Sequence, residues 1–140
     1  MLHRKIRILV VDDSAFMRKA IANMLESAED IEVIDSARDG LEAVEKVQKL
    51  RPDIITLDIE MPRMDGISAL KKIMDMRPTP VIMVSSLTEE GAQVTMQALD
   101  LGAVDFIPKP LSFVSLDIVK IKTDLIEKVR SIGAQPLLKR

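Results

Sequence analysis

The stretch "PDIITLDIEMPRMDG" (residues 52–66) sets a run of apolar and β-branched residues, Ile54, Ile55, Thr56 and Leu57, directly against an acid, Asp58. A run that short and that rich in β-branched side chains reads as a buried strand rather than a helix. Two more acids, Glu60 and Asp65, follow at once. A carboxylate placed where apolar chain leaves a core is either a turn residue or a reactive group. The surrounding chain separates the two.

Working outward, four further runs of the same kind appear. They are "IRILVV" (residues 6–11), "IEVIDSA" (31–37), "VIMVS" (81–85) and "VDFI" (104–107), and the opening run is placed at residues 53–57. Between them lie helical stripes with apolar positions three and four apart. The first is Met17, Ala20 or Ile21, Met24 and Ala28; the second is Leu41, Val44 and Val47. Ile67, Leu70 and Met74 give the third, and Val94, Ala98 and Leu101 the fourth. The last is Ile118, Ile121, Leu125, Val129 and Ile132. Arg51-Pro52, Pro78-Thr79-Pro80 and Gly102 punctuate the helix ends. Strict alternation of strand and helix requires parallel pairing with right-handed crossovers. Near-continuous apolarity in strands one, three and four requires cover on both faces. The fold class is α/β, a doubly wound five-stranded parallel sheet of the flavodoxin-like kind with five helices.

Composition narrows the function. The chain has 140 residues, enough for one domain with a real core, and 47% of them are hydrophobic against 30% charged. A net charge of −2 points to neither a nucleic-acid coat nor a membrane anchor, and three phenylalanines are too few for a base-stacking platform. There is no cysteine, so disulfides and thiolate metal sites are excluded, and a reducing cytoplasm is the expected location. His3 is the only histidine, which argues against histidine metal sites and Ser/His catalysis. No run reaches the roughly 18 apolar residues of a spanning helix. The nine methionines read as core filler.

In a doubly wound sheet, ligands bind at the carboxyl edge of the strands, where strand order reverses. Strand one is followed by Asp12-Asp13-Ser14, strand three by Asp58 and Glu60, strand four ends in Ser85-Ser86, and strand five leads into Lys109-Pro110. Each has a plainer reading alone: Asp12-Asp13-Ser14 as a helix cap, Asp58 as a turn residue, Lys109 as a solvated lysine. Their convergence on one edge is what carries weight. If strand one lies between strands two and three, the acids leave adjacent strands about 5 Å apart. At that distance two carboxylates repel by about 3 kcal/mol at an effective dielectric of about 20. A hard divalent cation with oxygen ligands removes the repulsion, and Mg²⁺ commonly combines one or two carboxylates with water and a phosphate. The expected site is therefore metal-bridged phosphoryl chemistry, with a carboxylate as nucleophile, Lys109 neutralising phosphoryl oxygens and Ser85 donating a hydrogen bond.

These residues resemble the receiver domain of bacterial two-component response regulators. "ILVVDDSAFMRKAI", "PDIITLDIEMPRMDG", "VIMVSS" and "DFIPKP" match that family's blocks in order and spacing, from Lys5 to about Ile132. The resemblance implies strand order 2-1-3-4-5. It implies Asp58 as phosphoacceptor, Asp13 as a Mg²⁺ ligand with Asp12 assisting, and Glu60 offering its backbone carbonyl to the metal. Ser85 and Lys109 would contact the phosphoryl group, Phe106 would occupy the position of a switch aromatic, and Lys109-Pro110 would be a cis peptide. Phe106 has no hydroxyl, so a switch that needs a phenolic hydrogen bond is excluded.

"SSLTEEGAQVTMQALDLGAVDFIPKP" (residues 85–110) is similar, more narrowly, to the receiver half of the chemotaxis protein-glutamate methylesterase. That implies a sensor histidine kinase of a chemotaxis-type pathway as phosphodonor and a C-terminal methylesterase domain, a hydrolase, as the regulated output. No G-x-S-x-G occurs here, so this chain itself is expected to carry only phosphorylation and dephosphorylation chemistry. Residues 1–132 are expected to form the receiver and residues 133–140, "GAQPLLKR", a tail or the start of a linker. Two other readings remain: a stand-alone receiver that docks a partner, and a Mg²⁺-dependent phosphatase of the aspartyl-phosphate type. The phosphatase would need D-x-D after a strand and a cap domain. A DNA-binding regulator would need a basic output module, which this chain lacks.

Overall fold

A computed structural model describes residues 4–61, 63–86, 88–109 and 116–134 of the chain. Five strands, β1 (Ile6–Val11), β2 (Ile31–Ala37), β3 (Ile54–Asp58), β4 (Val81–Ser85) and β5 (Asp105–Pro108), alternate with five helices. The helices are α1 (Ala15–Glu26), α2 (Gly40–Leu50), α3 (Gly66–Met76), α4 (Glu89–Asp100) and α5 (Leu116–Ala134). All pairings are parallel, in the order β2-β1-β3-β4-β5. The reversal of strand order falls between β1 and β3, whose carboxyl ends carry the acids.

The period-2 alternation of strand side chains divides the core in two. Leu9, Val11, Ile55, Leu57, Val81 and Met83 face α2, α3 and α4, where Val47, Leu70, Ile73 and Ala98 meet them. Ile8, Val10, Ile54, Ile82, Val84 and Ile107 face the other way, onto Ile21 and Leu25 of α1 and Leu125 and Val129 of α5. Each such fully buried aliphatic side chain stabilises the fold by about 1.5–3 kcal/mol. Thr56 breaks the pattern: it is fully buried among these side chains and its hydroxyl has no hydrogen-bond partner among the described residues.

Every loop at the carboxyl edge that leads into α1, α2, α3 or α4 ends in a helix cap. Ser14 accepts from the Met17 amide, Asp39 from Glu42, Asp65 from Ser68 and Thr88 from Gly91. The local chemistry that starts each of these helices thus also ends each active-edge loop. At the opposite edge Arg51 terminates α2 in the left-handed region (φ 50), and Gly102 (φ 115) follows α4.

Three details differ from the sequence expectation. β3 and β5 each begin and end one residue later than expected, so Asp58 is the last residue of its strand and Pro108 lies within β5. Pro108 is tolerated because β5 is an edge strand. Leu41 is exposed, and Gly40 and Ala43 take the buried positions of α2 instead. Third, α5 runs on to Ala134, beyond Ile132. Among the described residues no helix is long and apolar enough to cross a membrane.

Candidate functional site

Four strand ends build the site. Asp12 directly follows β1; its amide donates to Ala37 O at 3.0 Å, and the Arg18 guanidinium donates to its carbonyl at 2.9 Å. One carboxylate oxygen, Oδ1, accepts from the Ser14 amide at 3.0 Å, and the other has no hydrogen-bond partner among the described residues. The same three-residue turn therefore caps α1 through Ser14 and aims Asp12 inward. Asp58, at the end of β3, is fully buried between β1 and β4. Exposed Asp13 completes a cluster in which one carboxylate oxygen from each of Asp12, Asp13 and Asp58 lies within 4.8 Å of the others.

One cation faces these acids directly. Lys109 Nζ lies 2.9 Å from Asp58 Oδ1, and the Lys109 backbone is anchored by its amide to Ser85 O at 2.9 Å. Asp58 Oδ2 has no hydrogen-bond partner among the described residues. Burial, aided by repulsion from Asp12, pushes the Asp58 carboxyl up to about 7 against the opposing pull of Lys109. Burial likewise raises Asp12, although the Ser14 amide works against it. Burial would depress the Lys109 ammonium; the hydrogen bond and charge of Asp58, with Asp12 and Glu60 behind it, outweigh that and raise it.

The donor set and the charge balance fit a hard divalent cation. Among the described residues three carboxylates face one ammonium, two buried carboxylate oxygens have neither a hydrogen bond nor an ion pair, and there is no imidazole or thiolate. Beside Asp58 lies a cavity of about 90 Å³, whose lining includes Glu60, Ser86, Gly91 and Lys109. Glu90 also lines it, and its volume is well below about 300 Å³, where pockets for drug-sized ligands begin.

The profile of the response regulator receiver domain matches residues 8–119. This chain belongs to that family. Among curated relatives, a protein-glutamate methylesterase/protein-glutamine glutaminase of Oleidesulfovibrio alaskensis is 62% identical over 128 residues, covering 91% of this chain and 35% of that protein. The Pyrococcus abyssi protein of the same name is 54% identical, over 95% of this chain and 36% of its own length. The chain thus spans little more than a third of these relatives. Among solved structures, the response regulator domain of Thermotoga maritima CheB is 56% identical with a TM-score of 0.84, covering 94% of this chain and 98% of that one. The CheX-CheY-BeF3-Mg complex of Borrelia burgdorferi includes a chain 38% identical, with a TM-score of 0.76 and coverage of 92% and 90%.

Within this receiver the residues singled out in the sequence fall as follows. Asp12, Asp13, Asp58 and Lys109 converge. Glu60 is exposed in the β3–α3 loop and lines the cavity. The Ser85 hydroxyl is engaged by backbone carbonyls, Ser86 O at 3.0 Å and Gly91 O at 3.2 Å, and not by Asp58. Phe106 is 43% exposed on β5; Lys128 of α5 donates to its carbonyl at 2.7 Å and sits 5.3 Å from its ring centroid. Pro110, and with it the Lys109–Pro110 peptide, lies outside the described residues.

Two contributors were not singled out in the sequence. Arg18 holds the Asp12 turn, and nothing local marks it. Gly66 backs directly onto the acid: a Cβ there would stand 2.4 Å from Asp58 O and 2.7 Å from Ile59 Cα. The Asp65-Gly66 pair is a visible turn signal, but the close approach behind it is a long-range fact.

Proposed function

We propose that this receiver takes a phosphoryl group onto Asp58 in a Mg²⁺-dependent reaction, from a sensor histidine kinase of a chemotaxis-type pathway or a small phosphodonor. The carrying observation is a fully buried strand-end carboxylate with one free oxygen, flanked by two more acids and one lysine. Asp12, Asp13 and Asp58 would hold the cation through carboxylates, and Glu60 through its backbone carbonyl. When bound, Mg²⁺ supplies positive charge and a fixed point for phosphoryl oxygens. The BeF3 and Mg in the Borrelia burgdorferi complex support the chemistry, being named for a related chain.

The chain's own residues do the rest. An ionised Asp58 oxygen attacks phosphorus; the new P–O bond forms as the donor's P–N or P–O bond breaks, and the donor leaves with the electron pair. Lys109 already points its ammonium at Asp58 and would meet the incoming phosphoryl oxygens. Ser85 must turn from Gly91 O to reach them. That turn is cheap, because the Thr95 hydroxyl also donates to Gly91 O, at 2.7 Å, and stays behind. Phosphorylation adds about −1.5 to −2 charge units at the β4 and β5 ends. The shift of population that follows would involve α4, β5 with Phe106, and α5.

The output is proposed to be a C-terminal protein-glutamate methylesterase domain, on the strength of the relatives' names. A stand-alone receiver uses the same site chemistry. The family match removes support for the phosphatase reading. The test is labelling with acetyl phosphate and Mg²⁺, read as an intact-mass gain of one phosphoryl group that is lost in base. Asp58→Asn should abolish it; labelling of that variant at wild-type yield overturns the assignment. Fusion to a relative's methylesterase domain, assayed for ester hydrolysis with and without phosphodonor, tests the output.

A further inference from the structure

The chain after Asp58, described at residues 59–61 and 63–65, leads from the site into α3 and would bring the Glu60 carbonyl to the acids. Its inner end is fixed by Gly66, whose amide donates to Ile59 O at 2.8 Å. Its outer end is fastened to another element. Arg63 Nε lies 3.0 Å from Asp39 Oδ2 and Arg63 Nη2 lies 3.2 Å from Asp39 Oδ1, a two-pronged contact. Next to it the Gly40 amide donates to Met64 O at 3.1 Å, and a Cβ on Gly40 would stand 2.3 Å from that oxygen. Only glycine admits the loop this close to α2.

Helix capping alone does not account for the contact. Asp39 caps α2 through the Glu42 amide at 2.9 Å, but Asp65 caps α3 at 2.8 Å with no basic partner among the described residues. Arg63, moreover, is held at φ 66, a left-handed conformation that residues with a Cβ rarely adopt. Asp39 is buried, although it belongs to the β2–α2 connection on the far side of β1 from the loop it grips. A strained backbone, a buried carboxylate and a forked ion pair coincide on the loop that borders the acid cluster.

We propose that the Arg63–Asp39 pair is a positioning brace for divalent-cation binding, holding the β3–α3 loop so that the Glu60 carbonyl faces Asp12, Asp13 and Asp58. This rests on the metal-pocket reading given above. Mg²⁺ demands near-ideal octahedral geometry at short distances, so a ligand-bearing loop free to wander forfeits affinity.

The test is a Mg²⁺ titration followed by amide NMR shifts, with thermal unfolding in chelator as a separate measure of folding. Asp39→Asn keeps a side-chain oxygen for the α2 cap and removes the ion pair; Arg63→Met removes it from the other side. Each should weaken Mg²⁺ binding about 10-fold, the lower end of what supporting contacts contribute to metal sites. The double variant should be no weaker than the weaker single, because the two act as one unit. Arg63→Lys should recover part of the loss. Variants that bind Mg²⁺ like wild type while melting earlier overturn the brace and leave the pocket standing. Wild-type protein with no saturable shifts at Asp12, Asp13 and Asp58 overturns the pocket, and the brace with it. If Arg63→Met does not fold, Asp39→Asn decides the matter alone.

Discussion

Replacing the central acid should make the protein more stable, and by an amount that depends on pH. Asp58 is held at about 7 against an ordinary 3.8, chiefly by burial and then by Asp12. The folded state therefore binds this proton more tightly than the unfolded state. Stability is undiminished by this group below about pH 4, falls as pH rises through the interval to about 7, and stays reduced above it. The full effect corresponds to about 4 kcal/mol, at about 1.4 kcal/mol per tenfold change in proton affinity. A carboxamide at this position carries no charge to strand, and the raised midpoint already nets off the pull of Lys109, so a gain of about 2–4 kcal/mol is expected for Asp58→Asn at pH 8. For a chain of this size that is a rise in Tm of about 8–16 °C. Urea unfolding in chelator at steps from about pH 4.5 to about pH 8.5 measures it, and the gap between variant and wild type should widen across the series. Saturating Mg²⁺ should narrow the gap, since a ligand at about 100 times its Kd adds about 2.7 kcal/mol to the protein that binds it. An Asp58→Asn protein that is no more stable than wild type at pH 8 in chelator, or a gap that does not change with pH, refutes the account of the site as strained electrostatics.

Lys109→Met removes the ammonium facing the acids and should move the Asp58 midpoint above about 7, read by ¹³C carboxyl NMR; an unmoved or lower midpoint contradicts the ion pair. Thr56→Val fills the same space without the unpartnered buried hydroxyl and should be neutral or stabilising by up to about 1 kcal/mol in urea unfolding. A loss above about 1 kcal/mol would show that the hydroxyl has a partner. Gly91→Ala puts a Cβ 2.5 Å from Ser86 O and should cost about 1–3 kcal/mol, with shifts at Ser85 and Ser86 in amide spectra.

The chain's local chemistry was enough to determine the architecture. Alternating apolar runs and helical stripes depend on near neighbours along the chain, so the doubly wound sheet and its acid-bearing edge were legible from residues such as Val81–Ser85 and the Asp12-Asp13-Ser14 turn. Small errors entered where local pattern is weak: β5 is short and carries Pro108, and Leu41 sits at the rim of α2, where either face satisfies the spacing. Tertiary structure alone decided the raised proton affinity of Asp58, the unpartnered oxygen of Asp12, the engagement of Ser85 with Gly91 and the grip of Arg63 on Asp39. A pKa depends on how much water is excluded and on charges brought in from other strands, and a brace joins residues 24 positions apart. Neither quantity exists until the sheet has closed over the site.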